Sequence, residues 1–569
     1  MSDQPIRLKP RPGDHTADHR LYLLALAAVP IGLCATAGAW CLLQLIALSS
    51  HLFWTGRPGT TPLSLPAVAD APAVFVVPLL GSLIIGLMAR FGSEKIRGHG
   101  IPEAIEAILY GESRLSLKVA ILKPLSAAIS IGSGGPFGAE GPIIMTGGAV
   151  GSLLGQRLVL SHAERKTLLV AGAVAGMTAI FGTPLAAVLL ALEVLLFEWK
   201  PRSLIPVALA CLTAMMLRPY AIGAAPLFPF HPSGPVAGTA IPLAMLVGLL
   251  VGLLAVLLST LLYRLEDGFH RLPVHWMWWP ALAAIVVGFG GWLDPRVLGA
   301  GYDSIQALLD GRLDTHAITL LLLVKAGIWL IALASGTSGG VLAPLLLIGG
   351  ALGALIGHLL PGVNAPWVLL GMSASLSAAM RAPLTATLFA AEVSGDYQAL
   401  PLLLAASGMA YGLSVLLMRR SILTEKISRR GRHIVQEYSV DPADLQRAET
   451  VMQRSVPTAT LDAPWPAGAD QATVILDREG RPLAVAEPPL QRPAIAQSRI
   501  GTEDLKKLSS ITVSGPEVSV KTLALLMLGQ GTRYGVIVDP AAGDVLGLVH
   551  AHNLPRVWAD YQAAEAVPV

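Results

Sequence analysis

The chain has 569 residues, of which 53% are hydrophobic and 14% are charged, and its mean hydropathy is +0.63. About 25% of the residues in a soluble globular chain are charged, so this composition excludes an ordinary soluble protein and predicts an integral protein of a lipid membrane. The net charge of +3 gives no indication of a nucleic-acid partner. The three cysteines lie in apolar stretches without metal-ligand spacing, and we expect no metal site, no required cofactor and no catalytic residue.

The first apolar run covers residues 21–47 and follows a short basic segment, residues 1–20. The run is longer than the core of a signal peptide, and basic flanks are typical of the cytoplasmic side of a membrane. We therefore predict a retained membrane helix with a cytoplasmic N-terminus. A second membrane span is predicted over residues 71–88.

A glycine-rich turn, GHGIP at residues 98–102, leads into an apolar segment that extends to Tyr110. Proline fits the first turn of a helix, and glycine lets the backbone approach a neighbouring group closely. A helix N-terminus carries bare N–H groups and the positive end of the helix dipole, which attract anions. This turn is the first predicted anion-facing helix N-terminus.

The second glycine turn contains the one charged residue between Lys123 and Arg157, which is Glu140. A carboxylate inside an apolar region is costly unless it has a partner or a function. The surrounding GAEGP sequence, residues 138–142, predicts a loop that enters a helix N-terminus, where Glu140 either occupies an anion site or moves away from it. The alternative is a carboxylate that is satisfied by backbone N–H groups and has no further role.

Glycines and prolines divide the apolar sequence from 118 to 218 into segments that are mostly shorter than the ~20 residues of a full span. Two longer spans are predicted over residues 241–262 and 278–293, and an apolar segment follows over residues 320–334. The last of these leads into a third glycine turn, SGTSGGVLAP at residues 335–344. Broken helices at membrane depth indicate a buried site or a cavity.

An internal repeat relates the two halves of the apolar region. The segment TPLAAVLLALEV at 183–194 matches APLTATLFAAEV at 382–393, and a glycine turn precedes each segment. Paired segments that are interrupted by glycine and proline indicate a binding site between two repeats. The equivalent positions of Glu193 and Glu392 favour a structural pairing role for these carboxylates.

A basic cluster from Arg419 to Arg432 ends the apolar region and predicts a second cytoplasmic boundary, so the number of membrane crossings should be even. A soluble α/β region follows, with strands predicted over 473–476, 483–485, 535–538 and 546–549 and a helix over 518–528. We therefore expect an N-terminal segment (1–20), a membrane domain (21–432), a linker (433–448) and an α/β domain (449–569).

Three motifs in this order resemble those of the chloride channel (CLC) family of anion channels and proton-coupled exchangers. GHGIP, GAEGP and GGVLAP (residues 339–344) are similar to the family's glycine motifs, with Ala139 in place of the usual arginine and Leu342 in place of the usual phenylalanine. The resemblance covers about residues 20–432. The C-terminal region resembles a pair of CBS domains whose first half is shortened.

The resemblance implies an all-α polytopic membrane protein with two inverted-topology repeats and broken helices. It also implies a homodimer with one chloride pathway in each subunit, in which Glu140 is the gating carboxylate. The anion-binding residues that it implies are Gly98, His99, Gly100, Ile101, Pro102, Gly138, Ala139, Gly141, Gly340, Val341 and Leu342.

Departures from the family pattern favour passive chloride transport. Val194 stands where proton-coupled members have a proton-relaying glutamate, and Leu423 stands where many members have a tyrosine that binds the anion. A proton-coupled antiporter or a fluoride-handling member remains the alternative. His99 replaces a serine, and it either donates a hydrogen bond or is an exposed vestibule residue without a role as a ligand. In the C-terminal region His550 and Asn553 replace the usual ribose-binding residues, so a dimer-stabilising role is favoured over nucleotide binding.

Two other protein classes fit less well. A CBS-bearing cation transporter requires several carboxylates along its pathway, and an intramembrane zinc protease requires an HExxH motif, which the chain lacks. Lys123 and Lys325 either raise the pore potential, extend to the membrane surface or pair with a carboxylate. The sparse cysteines and compact basic flanks suit a bacterial inner membrane.

Overall fold

Eight helices in the described part of the chain are long and apolar enough to cross a membrane. The structure, a computed structural model, describes residues 20–111, 113–158, 160–230, 240–360, 366–430, 446–464, 471–487 and 499–554. These residues form a helical membrane unit before residue 431 and a separate α/β unit after residue 445. The four predicted spans, apart from residues 71–72, and the apolar segment 320–334 lie in such helices. Most of the predicted N-terminal segment and of the linker lies outside the described residues.

The first half of the membrane unit contains nine helices in the described residues. They are α1 (Arg20–Thr55), α2 (Leu65–Val68), α3 (Ala73–Leu87), α4 (Ile101–Tyr110), α5 (Leu117–Gly132), α6 (Glu140–Arg157), α7 (His162–Phe181), α8 (Pro184–Leu190) and α9 (Pro201–Ala221). Two of them continue as π-helical turns, α3 into Met88–Gly92 and α8 into Ala191–Leu196.

The second half follows the same order. Its helices are α10 (Ala240–His270), α11 (Trp279–Leu293), α12 (Tyr302–Leu309), α13 (Thr315–Ala334), α14 (Leu342–Leu359), α15 (Trp367–Met380), α16 (Pro383–Ser394) and α17 (Leu400–Leu417), and α18 (Ile422–Arg429) closes the unit. A long helix opens each half, a short helix follows a glycine turn in each, and α8 and α16 carry the repeated sequence. The membrane unit therefore contains two repeats, α1–α9 and α10–α17, as the sequence repeat predicted, whereas their inverted topology is what the family resemblance implied.

The region from 118 to 218 is less broken than the sequence predicted. Helices α5, α6, α7 and α9 have 16, 18, 20 and 21 residues. Several glycines that suggested breaks lie inside these helices and allow close packing instead. A Cβ added to Gly147 would lie 2.2 Å from the carbonyl oxygen of Gly172, and a Cβ added to Gly172 would lie 2.1 Å from that of Gly147. Glycine is required here because the backbones of α6 and α7 touch.

The repeated glutamates pair across the two repeats. The carboxylate of Glu392 accepts hydrogen bonds from the backbone N–H groups of Leu185 and Ala186, at 3.0 and 2.8 Å. The carboxylate of Glu193 accepts the equivalent bonds from Leu384 and Thr385, at 3.2 and 2.8 Å. Each carboxylate therefore satisfies the bare N–H groups at the N-terminus of the other repeat's helix, which is the structural pairing role that the sequence favoured.

We expect Glu392→Ala to lower the stability of the membrane unit, because two N–H groups of α8 lose a charged acceptor. The expected loss is about 2 kcal/mol, since hydrogen bonds to charged groups contribute about 1.5–3 kcal/mol each and this helix end is partly exposed. Thermal unfolding in detergent measures the effect, with the exposed Glu94→Ala as the control. Equal unfolding temperatures for the two variants would contradict the pairing role.

The α/β unit contains two sheets. One has the strand order β1 (Gln453–Arg454), β7 (Val545–His550), β6 (Tyr534–Val538) and β5 (Ile511–Ser514), and the other has the order β2 (Thr458–Thr460), β3 (Thr473–Leu476) and β4 (Pro482–Ala486). Helices α19 (Ala448–Val451) and α20 (Val520–Gln530) belong to this unit. The four predicted strands and the predicted helix are present. Strands β1, β2 and β5, of which β5 pairs in parallel with β6, were not predicted, because these two to four residues lack the continuous apolar run by which the other strands were recognised.

Candidate anion-binding site

Three glycine turns meet in the membrane unit. Gly138 and Gly340 form an antiparallel bridge, in which the Gly138 N–H donates to the Gly340 carbonyl at 3.2 Å and the reverse bond measures 2.8 Å. The N–H of Gly98 donates to the carbonyl of Gly336 at 3.2 Å. A Cβ added to Gly141 would lie 1.7 Å from the carbonyl oxygen of His99. The three sequence motifs, which are far apart in the chain, therefore form one contiguous backbone surface.

The predicted anion-binding residues lie at the helix ends around this surface, and all of them are buried. Ile101 and Pro102 form the first turn of α4. Ala139 directly precedes α6, Val341 directly precedes α14, and Leu342 is the first residue of α14. The N-termini of α6 and α14 are therefore next to each other.

The carboxylate of Glu140 lies between these two N-termini. Glu140 is the first residue of α6 and is 0% exposed. Its Oε1 accepts a hydrogen bond from the backbone N–H of Ala343 at 3.0 Å, whereas Oε2 has no hydrogen-bond partner in the described residues. A Cβ added to Gly138 or Gly340 would lie 2.1 or 2.2 Å from a carboxylate oxygen. The carboxylate thus fills a space that exists because neither glycine has a side chain.

Two lysines shape the glycine turns. Lys325 acts electrostatically on Glu140, and its Nζ donates to the carbonyls of Val297 and Gly299 at 2.8 and 2.7 Å. The Nζ of Lys123 donates in the same way to Ile96 and Gly98, at 2.8 and 2.6 Å. Both side chains are 0% exposed. The expectations that these lysines extend to the membrane surface or pair with a carboxylate were therefore wrong, because backbone carbonyls satisfy both ammonium groups.

The lysines identify a fourth glycine turn that the sequence analysis missed. Gly299 and Gly301 have φ values of +62° and +78°, and Gly98 and Gly100 have +78° and +89°. Such backbone angles favour glycine. The turn at 299–301 therefore occupies in the second repeat the position of the turn at 98–100 in the first. The signal was the repeated pattern of two glycines separated by one residue, and the shorter motif did not stand out in a glycine-rich chain.

Residues 80–415 match the family model described as "Voltage gated chloride channel". The chain belongs to this family, the CLC proteins. It is 33% identical over 352 residues to a putative ClcB-like chloride channel protein of Ralstonia nicotianae, covering 58% of this chain and 80% of the relative. It is 30% identical over 358 residues to a protein named voltage-gated ClC-type chloride channel ClcB of Citrobacter koseri, covering 61% of this chain and 85% of the relative.

Solved CLC structures share the fold. A structure described as a slow cyanobacterial Cl⁻/H⁺ antiporter aligns with a TM-score of 0.64 and 22% identity, over 73% of this chain and 99% of that one. A eukaryotic CLC transporter aligns with a TM-score of 0.60 and 18% identity, over 94% of this chain and 98% of that one. These similarities establish the polytopic helical architecture. As a CLC protein the chain is an integral membrane protein of a family of anion transporters and channels.

His99 is buried in this CLC chain. It is 2% exposed, and its Nδ1 has no hydrogen-bond partner in the described residues. The expectation of an exposed vestibule residue was therefore wrong, because the turn at 98–100 is held inward by Lys123. The neighbouring Glu103 accepts a hydrogen bond from the N–H of Gly100 at 3.1 Å and forms an ion pair with Arg430 at 3.0 Å.

Two of the positions at which this chain departs from the CLC pattern, Val194 and Leu423, are fully buried. Val194 lies in the π-helical continuation of α8, and Leu423 lies in the first turn of α18. A tyrosine does lie nearby, but the hydroxyl of Tyr263 donates a hydrogen bond to the backbone carbonyl of Ile422, which precedes Leu423. This hydroxyl is therefore not available as a donor to an anion. A buried apolar side chain thus occupies each of these two positions.

Two of the cavities in the described part of the membrane unit share no lining residue. The basic cavity has a volume of about 850 Å³, and its charged lining includes Arg97, Glu103, Lys426, Arg429 and Arg430. The tyrosine cavity has a volume of about 520 Å³. Its lining includes Ala139, which precedes Glu140, and Tyr302, which the sequence analysis did not single out.

Proposed function

We propose that the protein is a passive chloride channel in which the Glu140 carboxylate is the gate. The observation that carries this proposal is the position of that carboxylate, between the N-termini of α6 and α14 and in the space left by Gly138 and Gly340. A carboxylate is itself an anion. A site at helix N-termini that binds a carboxylate through backbone N–H donors is also suited to a chloride ion, which carries the same charge.

Chloride conduction requires binding that is strong enough for entry and weak enough for exit. Backbone dipoles meet this requirement better than a buried cation in direct contact with the ion. The positions of Lys123 and Lys325 are consistent with such weak binding. Their ammonium groups donate hydrogen bonds to backbone carbonyls of the glycine turns and do not contact the anion site directly. They raise the local potential for anions without becoming tight ligands.

Passive transport is favoured over proton coupling by the side chains at two positions. Val194 cannot carry a proton, and Leu423 cannot donate a hydrogen bond to a central anion. An exchanger needs a proton route that is separate from the anion route, and this chain lacks the acid that would form its inner part. The alternative functions are a chloride/proton antiporter and a fluoride-handling protein of the same family.

The wider assignment follows from the same proposal. We expect a homodimer with one pathway in each subunit, in a bacterial inner membrane, with both termini in the cytoplasm. The α/β unit would stabilise this dimer without a nucleotide. The proposal assigns no enzymatic activity and no required cofactor, and it treats chloride as the transported ion.

Current measurements across a planar lipid bilayer test the proposal. With a chloride gradient, the reversal potential of a passive channel should equal the chloride equilibrium potential. It should stay at that value when a pH gradient is added, because protons do not share the transport cycle. A bilayer without protein is the control. A reversal potential that moves with the pH gradient would identify the antiporter, and an absence of chloride current would reject the channel.

A further inference from the structure

Tyr302 carries a buried hydroxyl without a partner next to the gating carboxylate. Its ring is partly exposed in the tyrosine cavity, whereas its Oη is buried and has no hydrogen-bond partner in the described residues. Tyr302 and Ala139 line this cavity together, and Ala139 directly precedes Glu140 in the chain. The backbone of Ala139 therefore lies near the hydroxyl, and the Glu140 carboxylate lies within electrostatic range of it. Oε2 of Glu140 also lacks a partner. An unsatisfied donor and an unsatisfied charged acceptor therefore lie near each other without forming a hydrogen bond.

The position of Tyr302 is well defined. It is the first residue of α12 and directly follows the glycine turn at 299–301. Lys325 holds that turn through the carbonyls of Val297 and Gly299, and the Tyr302 ring packs edge-on against Phe228 with 5.7 Å between ring centres. The equivalent residue of the first repeat is Ile101, which has no hydroxyl. At this pair of equivalent positions, therefore, only the second repeat carries a hydroxyl donor, and that position lines the tyrosine cavity.

The charged groups around this hydroxyl are otherwise engaged. Arg296, which lines the tyrosine cavity, donates to Asp294 at 2.8 and 3.0 Å. Asp303 accepts a hydrogen bond from the Ser64 hydroxyl at 2.8 Å. Lys325, which acts on Glu140 from α13, is used by the two carbonyls. A carboxylate that leaves its place between Gly138 and Gly340 toward this cavity therefore has the Tyr302 hydroxyl as an available donor.

We propose that Tyr302 is a positioning residue for the gate, whose hydroxyl donates a hydrogen bond to the charged Glu140 carboxylate when that carboxylate leaves the anion site. This inference rests on the proposed gating role of Glu140. A charged carboxylate in a poorly hydrated space is costly without a donor, and the hydroxyl removes part of that cost. The channel then opens without protonation of Glu140. A protonated carboxyl group has less need of this donor, because its desolvation cost is smaller.

The test uses Tyr302→Phe, which removes the hydroxyl and keeps the ring. Chloride efflux from liposomes is measured at neutral and at acidic pH for the wild type, Tyr302→Phe, Glu140→Gln and the double variant, with the exposed Tyr220→Phe as the matched control. At neutral pH Tyr302→Phe should reduce efflux about tenfold, the size expected for one lost hydrogen bond to a charged group. At acidic pH it should match the wild type, and in the Glu140→Gln background it should have no effect.

Each other outcome overturns the proposal. Equal losses at both pH values would indicate a structural role, and a loss that persists in the Glu140→Gln background would indicate that the hydroxyl binds the anion itself. A Tyr302→Phe profile identical to that of the wild type would show that the hydroxyl does not act on the gate. The gating role is tested separately, because it fails only if Glu140→Gln leaves the pH dependence unchanged.

Discussion

Replacement of Glu140 by glutamine is expected to leave the anion pathway open and to remove the pH dependence of chloride flux. The charged carboxylate accepts a hydrogen bond from the N–H of Ala343 at the N-terminus of α14, so it competes with chloride for this place. As the pH falls, protonation removes the charge that holds it there, and wild-type flux should rise. Glutamine is neutral at every pH and cannot compete as an anion, so the variant should show high flux throughout. Chloride efflux from liposomes as a function of pH measures this difference.

The exposed Glu479→Gln variant is the control, since it changes the same functional group in the α/β unit, outside the membrane unit that contains the glycine turns. Its pH profile should equal that of the wild type. A Glu140→Gln variant that folds and still shows the wild-type pH dependence would contradict the gating role. The carboxylate of Glu140 in the wild type would then serve only to satisfy backbone N–H groups.

The second large effect is expected for Gly340→Ala, which places a methyl group in the anion site. The added Cβ would lie 2.2 Å from Oε2 of Glu140 and 2.7 Å from the Gly138 carbonyl oxygen. The carboxylate can move, but the bridge between Gly138 and Gly340 cannot relax easily. We expect chloride flux to fall by about an order of magnitude or more and stability to fall by about 1–3 kcal/mol.

Two comparisons separate the effect on the site from an effect on folding. Gly327→Ala in α13 is the matched control, because its Cβ meets no atom within 4 Å, and it should retain wild-type flux. The double variant Gly340→Ala/Glu140→Ala removes the displaced carboxylate. It should remain slow if the methyl group blocks the ion itself. Full flux in Gly340→Ala, with unchanged pH dependence, would show that chloride does not pass between these glycines.

Glu140 illustrates what sequence reasoning predicts well. A single charge in an apolar region, next to glycines and a proline, indicated a helix N-terminus, and the structure has Glu140 as the first residue of α6. The repeat likewise predicted the paired helices α8 and α16. In both cases the signal is local or is repeated in the chain, so it can be recognised without knowledge of which segments touch.

Lys325 and Tyr302 illustrate what the sequence does not reveal. The ammonium group of Lys325 is satisfied by carbonyls 26 and 28 positions earlier in the chain, and a carbonyl acceptor leaves no trace in residue type. The role proposed for Tyr302 depends on its proximity to Ala139 and Glu140 of the other repeat, which becomes visible only when one cavity brings them together. The glycines of α6 and α7 were misinterpreted for the same reason, since a helix break and a close helix contact both favour glycine. These features depend on tertiary packing, which one sequence does not specify locally.

Proton movement during chloride flux tests the central claim most directly. The protein is reconstituted in liposomes, a chloride gradient is imposed, and internal pH is recorded together with chloride efflux. Because Val194 cannot relay a proton, we predict chloride efflux without proton movement against the proton gradient. Protons driven uphill by the chloride gradient would contradict passive transport and would identify the protein as an exchanger whose proton route bypasses Val194.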